Sequence, residues 1–91
     1  MSMRRSHLEI CAQILEAIET GKTITKTHIM YRANVSFSQL QKYMTLLMKL
    51  DLIRELEQEN RVVYEITEKG KLLLYHYREA KELLRNSTHR C

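Results

Sequence analysis

Apolar residues near the start of the chain recur at helical spacing. Leu8, Cys11, Leu15 and Ile18 form a stripe, and Ile10 and Ile14 widen it. Ser6 with Glu9 three residues on makes a capping box, so a first helix is predicted to run to about Thr20 and to stop at Gly21. A second, short helix is predicted from Lys26, with Ile29, Met30 and Ala33 facing inward. Asn34, Val35 and Ser36 then break the pattern. Asn tolerates the left-handed conformation that ends a helix, and Ser36 with Gln39 forms a second capping box, opening a third helix whose buried stripe is Phe37, Leu40, Met44 and Leu47. Beyond Asp51 the period changes. Leu52 to Leu56 and Arg61 to Ile66 are short and rich in Leu, Ile, Val and Tyr, with Gln58, Glu59 and Asn60 between them, which predicts a two-stranded hairpin. Thr67 caps a fourth helix that continues to about Asn86.

Helix, helix, helix, hairpin, helix is the order of a winged helix-turn-helix, a mainly α chain with a small β hairpin (α+β). The predicted division is a winged DNA-binding domain over residues 1–66 and a long C-terminal helix over 67–86 that closes the core and makes a dimer. Residues 87–91 are a flexible tail. In this arrangement the third helix enters the major groove and the hairpin lies beside the backbone.

Charge sharpens the picture. No Asp or Glu occurs between Glu19 and Asp51, whereas Lys22, Lys26, Arg32, Lys42 and Lys49 all fall there, with His28 beside them. From Asp51 onward eight Lys and Arg balance eight Asp and Glu. A cationic zone inside an otherwise neutral domain is the footprint of a surface that meets phosphates. On the third helix the residues off the apolar stripe are Ser38, Gln41, Lys42, Thr45 and Lys49, and none carries negative charge. Gln41 and Lys42 are long enough for base edges, while Ser36, Ser38 and Thr45 suit phosphate. Lys26, His28 and Arg32 on the second helix would meet the flanking backbone. Glu55, Glu57 and Glu59 leave Arg61 as the plausible phosphate contact of the hairpin. Met30, Met44 and Met48, and the apolar parts of Tyr31 and Tyr43, are expected to fill the core.

Other chemistries find little support. There is no glycine-rich phosphate loop, no nucleophile elbow and no spaced carboxylate pair, so the chain is not expected to be an enzyme and no cofactor is implied. The four histidines and two cysteines lack ligand spacing for a metal; Cys11 is expected in the core, and Cys91 as a mobile free thiol. No apolar run approaches a membrane span and no signal peptide is visible, which predicts a cytoplasmic, nucleoid-associated protein. No polar cluster of cavity size suggests a small-molecule ligand. A protein-docking adaptor is the alternative function, and exposed Leu46 and Leu50 on the third helix would mark it.

In the last helix Leu73, Tyr77, Ala80 and Leu84 are spaced four, three and four, a heptad seam, and Leu72, His76 and Leu83 lie about 100° away. So wide an apolar arc needs two surfaces to bury it: the domain core and the same helix of a second subunit. The helix would span roughly 28 Å, enough for two reading helices about 34 Å apart, one DNA turn.

The runs "RRSHLEI", "KTHIMYRANVSFSQLQKY" and "YEITEKGK" resemble the small archaeal winged-helix proteins, among them chromatin-associated DNA-binding dimers and predicted transcription regulators. The resemblance covers residues 4 to about 85. It implies a homodimer joined by an antiparallel coiled coil of the last helices, with double-stranded DNA read by the third. Asp51 stands where such proteins usually have glycine. Asp can adopt the left-handed conformation, so the turn is expected to survive.

Overall fold

Three helices, α1 (His7–Gly21), α2 (Lys26–Ala33) and α3 (Phe37–Lys49), precede an antiparallel hairpin of β1 (Ile53–Gln58) and β2 (Arg61–Ile66) and a long α4 (Glu68–His89). The computed structural model describes residues 5–89, with side chains through Arg85. Both predicted capping boxes form. Ser6 Oγ accepts from the Glu9 amide while Glu9 Oε1 accepts from the Ser6 amide, and Ser36 and Gln39 do the same at the start of α3. Each box satisfies two amides that a helix N-terminus leaves without partners.

One core holds these elements together. Ile14, Leu15 and Ile18 of α1, Ile29 of α2, Leu40, Met44 and Leu47 of α3 and Leu74 of α4 are its fully buried members. Three expected core residues lie elsewhere. Leu8 is 51% exposed, because the buried arc of α1 centres on Ile14 and Ile18 and Leu8 falls at its margin in the first turn. Phe37 is 60% exposed at the first position of α3, and Tyr43 replaces it on the buried stripe at 4%. Tyr31 is 75% exposed, since Ile29 and Ala33 define the inner face of α2 and a residue midway between them points outward. Met44 is buried, whereas Met30 and Met48 are half-buried against the core.

The turns show where backbone conformation overrides simple signals. Asn34 ends α2 at φ 56°, ψ 54°, the predicted left-handed cap. α1 ends differently: the cap is Lys22 at φ 66°, ψ −71°, outside the left-handed helical conformation, and Gly21 serves another purpose. A Cβ on Gly21 would stand 2.9 Å from Ile24 Cδ1, so its smallness lets Ile24 fold back into the core. Asp51 adopts φ 62°, so the turn before β1 forms without glycine.

In the hairpin, Ile53 pairs with Ile66 and Gln58 with Arg61, leaving Glu59 and Asn60 as a two-residue loop with φ 48° and 65°. Two consecutive positive φ values define a type I′ turn, which matches strand twist. Glu is poorly suited to it. Glu59→Asn is expected to raise stability by about 0.5–1 kcal/mol, read as a higher urea midpoint with unchanged slope. β1 also begins one residue later and ends two residues later than predicted. The sheet is wider than a hairpin, because Ile24 bridges Tyr64, its amide donating to the Tyr64 carbonyl at 3.2 Å and its carbonyl accepting the Tyr64 amide at 2.9 Å. No alternating pattern surrounds Ile24, so one bridged residue leaves no periodic signature.

α4 starts at a crowded junction. The Thr67 hydroxyl accepts from the Gly70 amide at 3.0 Å, the predicted cap, and donates to the Asp51 carbonyl at 2.7 Å; the Thr67 amide donates to the Leu52 carbonyl at 3.0 Å. The helix continues to His89, three residues past its expected end and into the segment expected as a tail; Arg90 and Cys91 lie outside the described residues.

Candidate nucleic-acid interface

α3 separates its two faces cleanly. Leu40, Tyr43, Met44 and Leu47 are buried, and at 100° per residue Ser38, Lys42, Thr45 and Lys49 sit opposite them, all exposed, with Gln41 at one margin. The structure therefore brings the predicted reading row together. Its hydrogen-bonding capacity is more specific than composition implies. Thr45 Oγ1 donates to the Gln41 carbonyl at 2.9 Å, so the hydroxyl proton is used within the helix and Thr45 offers acceptor lone pairs and a methyl group. Ser36 Oγ accepts the Gln39 amide and lies 3.4 Å from Ser38 Oγ, placing two hydroxyls at the helix start. The Lys42 ammonium rests 5.7 Å from the Tyr43 ring centre, a contact that restrains a charge otherwise free in solvent.

The α2 residues divide. Lys26 Nζ donates to Gln41 Oε1 at 2.6 Å, linking the start of α2 to the reading row. This bond occupies the Gln41 carbonyl oxygen and leaves its NH₂ as a donor, and the ammonium keeps two further donors for phosphate. His28 is exposed and its Nδ1 lies 3.3 Å from Thr25 Oγ1, on the first turn beside Lys26. Arg32, about 120° from Lys26 and about 40° from His28 round the helix, stands in the last turn and lines a cleft with Arg5, Gln13, Glu16 and Arg78.

On the wing, Arg61 is exposed beside the turn, whereas Arg54 is paired with Glu65 at 3.4 Å. Among the described residues no group of three His, Cys, Asp or Glu side chains could hold a metal ion. Cys11 is buried, which raises its thiol pKa and keeps it protonated.

Sequence reasoning missed Arg5. Its guanidinium donates to Gln13 Oε1, to the Ala33 carbonyl at 2.7 Å and to the Asn34 carbonyl at 2.6 Å. A cation at the negative end of α2 thus clamps the turn between α2 and α3 onto α1. Its partners are backbone carbonyls 28 and 29 residues away, which no local spacing reveals. Tyr31 was missed too: its ring stands on the outer face of α2, and the four-residue interval from Ile29 to Ala33 was the available signal.

The proposed dimer seam also divides. Leu73 and Tyr77 pack against the core, while Ala80 and Leu84 are exposed. The exposed apolar strip of α4 is the neighbouring one, Leu72 (56%), His76, Ala80 and Leu83 (69%). At its base it opens into an apolar groove of about 410 Å³ lined by Leu50, Leu52, Leu72, Leu73 and His76. Among the described residues no helix is long and apolar enough to cross a membrane.

This geometry has relatives. A protein of Methanocaldococcus jannaschii of uncharacterised function is 35% identical over 81 residues, covering 89% of this chain and 78% of its own length. A second from that organism is 34% identical over 83 residues, but this chain spans only 37% of it. Among solved structures, Sso10a-2, a DNA-binding protein from Sulfolobus solfataricus, superimposes with a TM-score of 0.81 at 31% identity, over 94% of this chain and 88% of that one. Streptococcus pneumoniae FabT, solved in complex with DNA, shares the fold at a TM-score of 0.69 and 17% identity, with this chain covering 58% of it. The family model described as winged helix-turn-helix matches residues 4–85, and the chain belongs to that family.

Proposed function

We propose that this protein binds double-stranded DNA as a homodimer, acting as a transcription regulator or chromatin protein in the cytoplasm, with α3 in the major groove. The observation that carries this reading is the row of Ser38, Lys42, Thr45 and Lys49, exposed along one face of α3 and free of carboxylates. Gln41 and Lys42 read base edges. Ser36, Ser38, Lys26, His28 and Lys49 hold phosphates, and Arg61 touches the backbone from the wing. The name of Sso10a-2 as a DNA-binding protein supports the same conclusion.

Dimerisation proceeds through α4, whose strip of Leu72, His76, Ala80 and Leu83 is the apolar surface a second copy would bury. Light scattering is expected to give twice the chain mass at micromolar concentration, and a monomer there rejects the dimer. If each subunit neutralises about four phosphates, duplex affinity falls with salt at a log-log slope of roughly −7. Gel-shift affinity that ignores salt rejects DNA binding altogether.

A second reading, protein docking, draws on Leu46 and Leu50, which are 41% and 47% exposed on α3. Leu50 lines the groove at the base of α4, so the same leucines also fit the dimer surface. Leu46→Ser with Leu50→Ser separates the two. Loss of dimerisation assigns them to the subunit interface, and an intact dimer with intact DNA binding favours a partner protein.

A further inference from the structure

On the side of α2 away from Gln41, helices α1, α2 and α4 surround a polar cleft of about 840 Å³. Three guanidiniums from distant parts of the chain line it: Arg5 ahead of α1, Arg32 in the last turn of α2, and Arg78 in the middle of α4. One carboxylate, Glu16, shares the lining. Arg78 is ion-paired with Glu16 and with Glu19 beside the cleft, so the net positive charge of the lining comes from Arg5 and Arg32 and favours an anion.

The existing bonds leave much of the donor capacity unused. Arg5 uses both Nη1 protons, on Gln13 and the Ala33 carbonyl, and one Nη2 proton, on the Asn34 carbonyl, which leaves Nε–H and one Nη2–H. Arg78 directs Nε and Nη2 at Glu16 and Glu19, at 3.2–3.3 Å, and keeps Nη1. Arg32 is exposed and has no hydrogen-bond or ion-pair partner among the described residues. Its whole planar fork is available, in the geometry that suits phosphate and carboxylate oxygens.

We propose that this cleft binds a small phosphate monoester. Arg32 grips the phosphate through its fork, Arg78 Nη1 and Arg5 Nε–H complete the ring of donors, and Gln13 and Thr20 face the organic part. The volume far exceeds that of a phosphate group, which leaves room for the ester's body. Arg32 lies about 120° round α2 from Lys26, on the opposite flank of the buried Ile29 and Ala33, and about 40° from His28. The position has a consequence for the turn. Arg5 holds the carbonyls of Ala33 and Asn34, so a ligand that engages Arg5 acts directly on the joint between α2 and α3.

Glycerol 3-phosphate is the probe, titrated into the full chain at constant ionic strength held by potassium chloride. Calorimetry and the side-chain N–H resonances of Arg32 and Arg78 are followed together. Saturable binding is expected, weakened by about tenfold or more in Arg32→Gln and by less in Arg32→Lys, which keeps the charge and loses the fork. Circular dichroism verifies that each variant is folded. The proposal is overturned by resonance shifts that grow linearly and vanish with added chloride, or by equal affinity in Arg32→Gln. It is overturned as well if Arg32→Gln weakens duplex DNA binding while leaving glycerol 3-phosphate binding intact, since Arg32 would then belong to the DNA surface.

Discussion

Gly70→Ala is expected to destabilise the fold by about 3 kcal/mol, enough to leave much of the protein unfolded at moderate temperature. A Cβ at this position would stand 2.2 Å from the Leu52 carbonyl oxygen and 2.7 Å from Ile66 Cγ1. Neither neighbour can yield cheaply. The Leu52 carbonyl already accepts the Thr67 amide at 3.0 Å, and Leu52 is buried, so relief requires the first turn of α4 to lift from β1. Lifting it would also break the bond from the Gly70 amide to Thr67 Oγ1 and the one from Thr67 Oγ1 to the Asp51 carbonyl. Helix propensity points the other way, since Ala is favoured over Gly by about 1 kcal/mol inside a helix. Thermal and urea denaturation measure the net effect. A variant as stable as the parent would mean that the junction is looser than these distances imply.

The second large effect is on binding. Lys42→Glu combined with Lys49→Glu places two carboxylates per subunit on the exposed row of α3, one within it and one at its C-terminal end. Both lysines are exposed, and Lys42 gives up only a 5.7 Å contact with the Tyr43 ring, so the fold is expected to persist with a circular dichroism spectrum like that of the parent. Lys49→Glu removes one phosphate contact from each subunit, two from the dimer, which lowers the salt slope from roughly −7 to about −5, and Lys42→Glu removes a base-edge contact as well; together they weaken duplex affinity by about 100-fold or more near physiological salt. Fluorescence anisotropy at several salt concentrations provides both numbers. A slope that stays near −7 would locate the phosphate-binding surface somewhere other than α3.

The features legible in the sequence are those governed by short-range chemistry. Ser6 and Glu9, Ser36 and Gln39, Asn34, and Thr67 each act on backbone groups within four residues, and every one of these caps forms. The reading row was legible for the same reason, because helical periodicity alone puts Ser38, Lys42, Thr45 and Lys49 opposite Leu40, Met44 and Leu47. Periodicity failed where it could not say how far a neighbouring element reaches. Leu8 and Phe37 occupy first turns that project beyond the core, and Tyr77 leans inward, so the exposed strip of α4 passes through Leu72, His76 and Leu83. The polar cleft was invisible for a different reason. Arg5, Arg32 and Arg78 meet only after α1, α2 and α4 have packed, and no spacing in the chain announces their approach.

The bridge between Ile24 and Tyr64 links two elements that lie far apart along the chain. Lys26 begins α2 two residues after Ile24, and Arg61 stands three residues before Tyr64 at the tip of the wing. The reciprocal bonds of 3.2 and 2.9 Å make the α1–α2 connection the third member of the wing's ladder. Wing and positioning helix should therefore open as one unit in native-state hydrogen exchange, the amides of Ile24 and Tyr64 sharing a single opening free energy. A protein built this way cannot let its wing flap independently of Lys26; the two grip a partner, or release it, together.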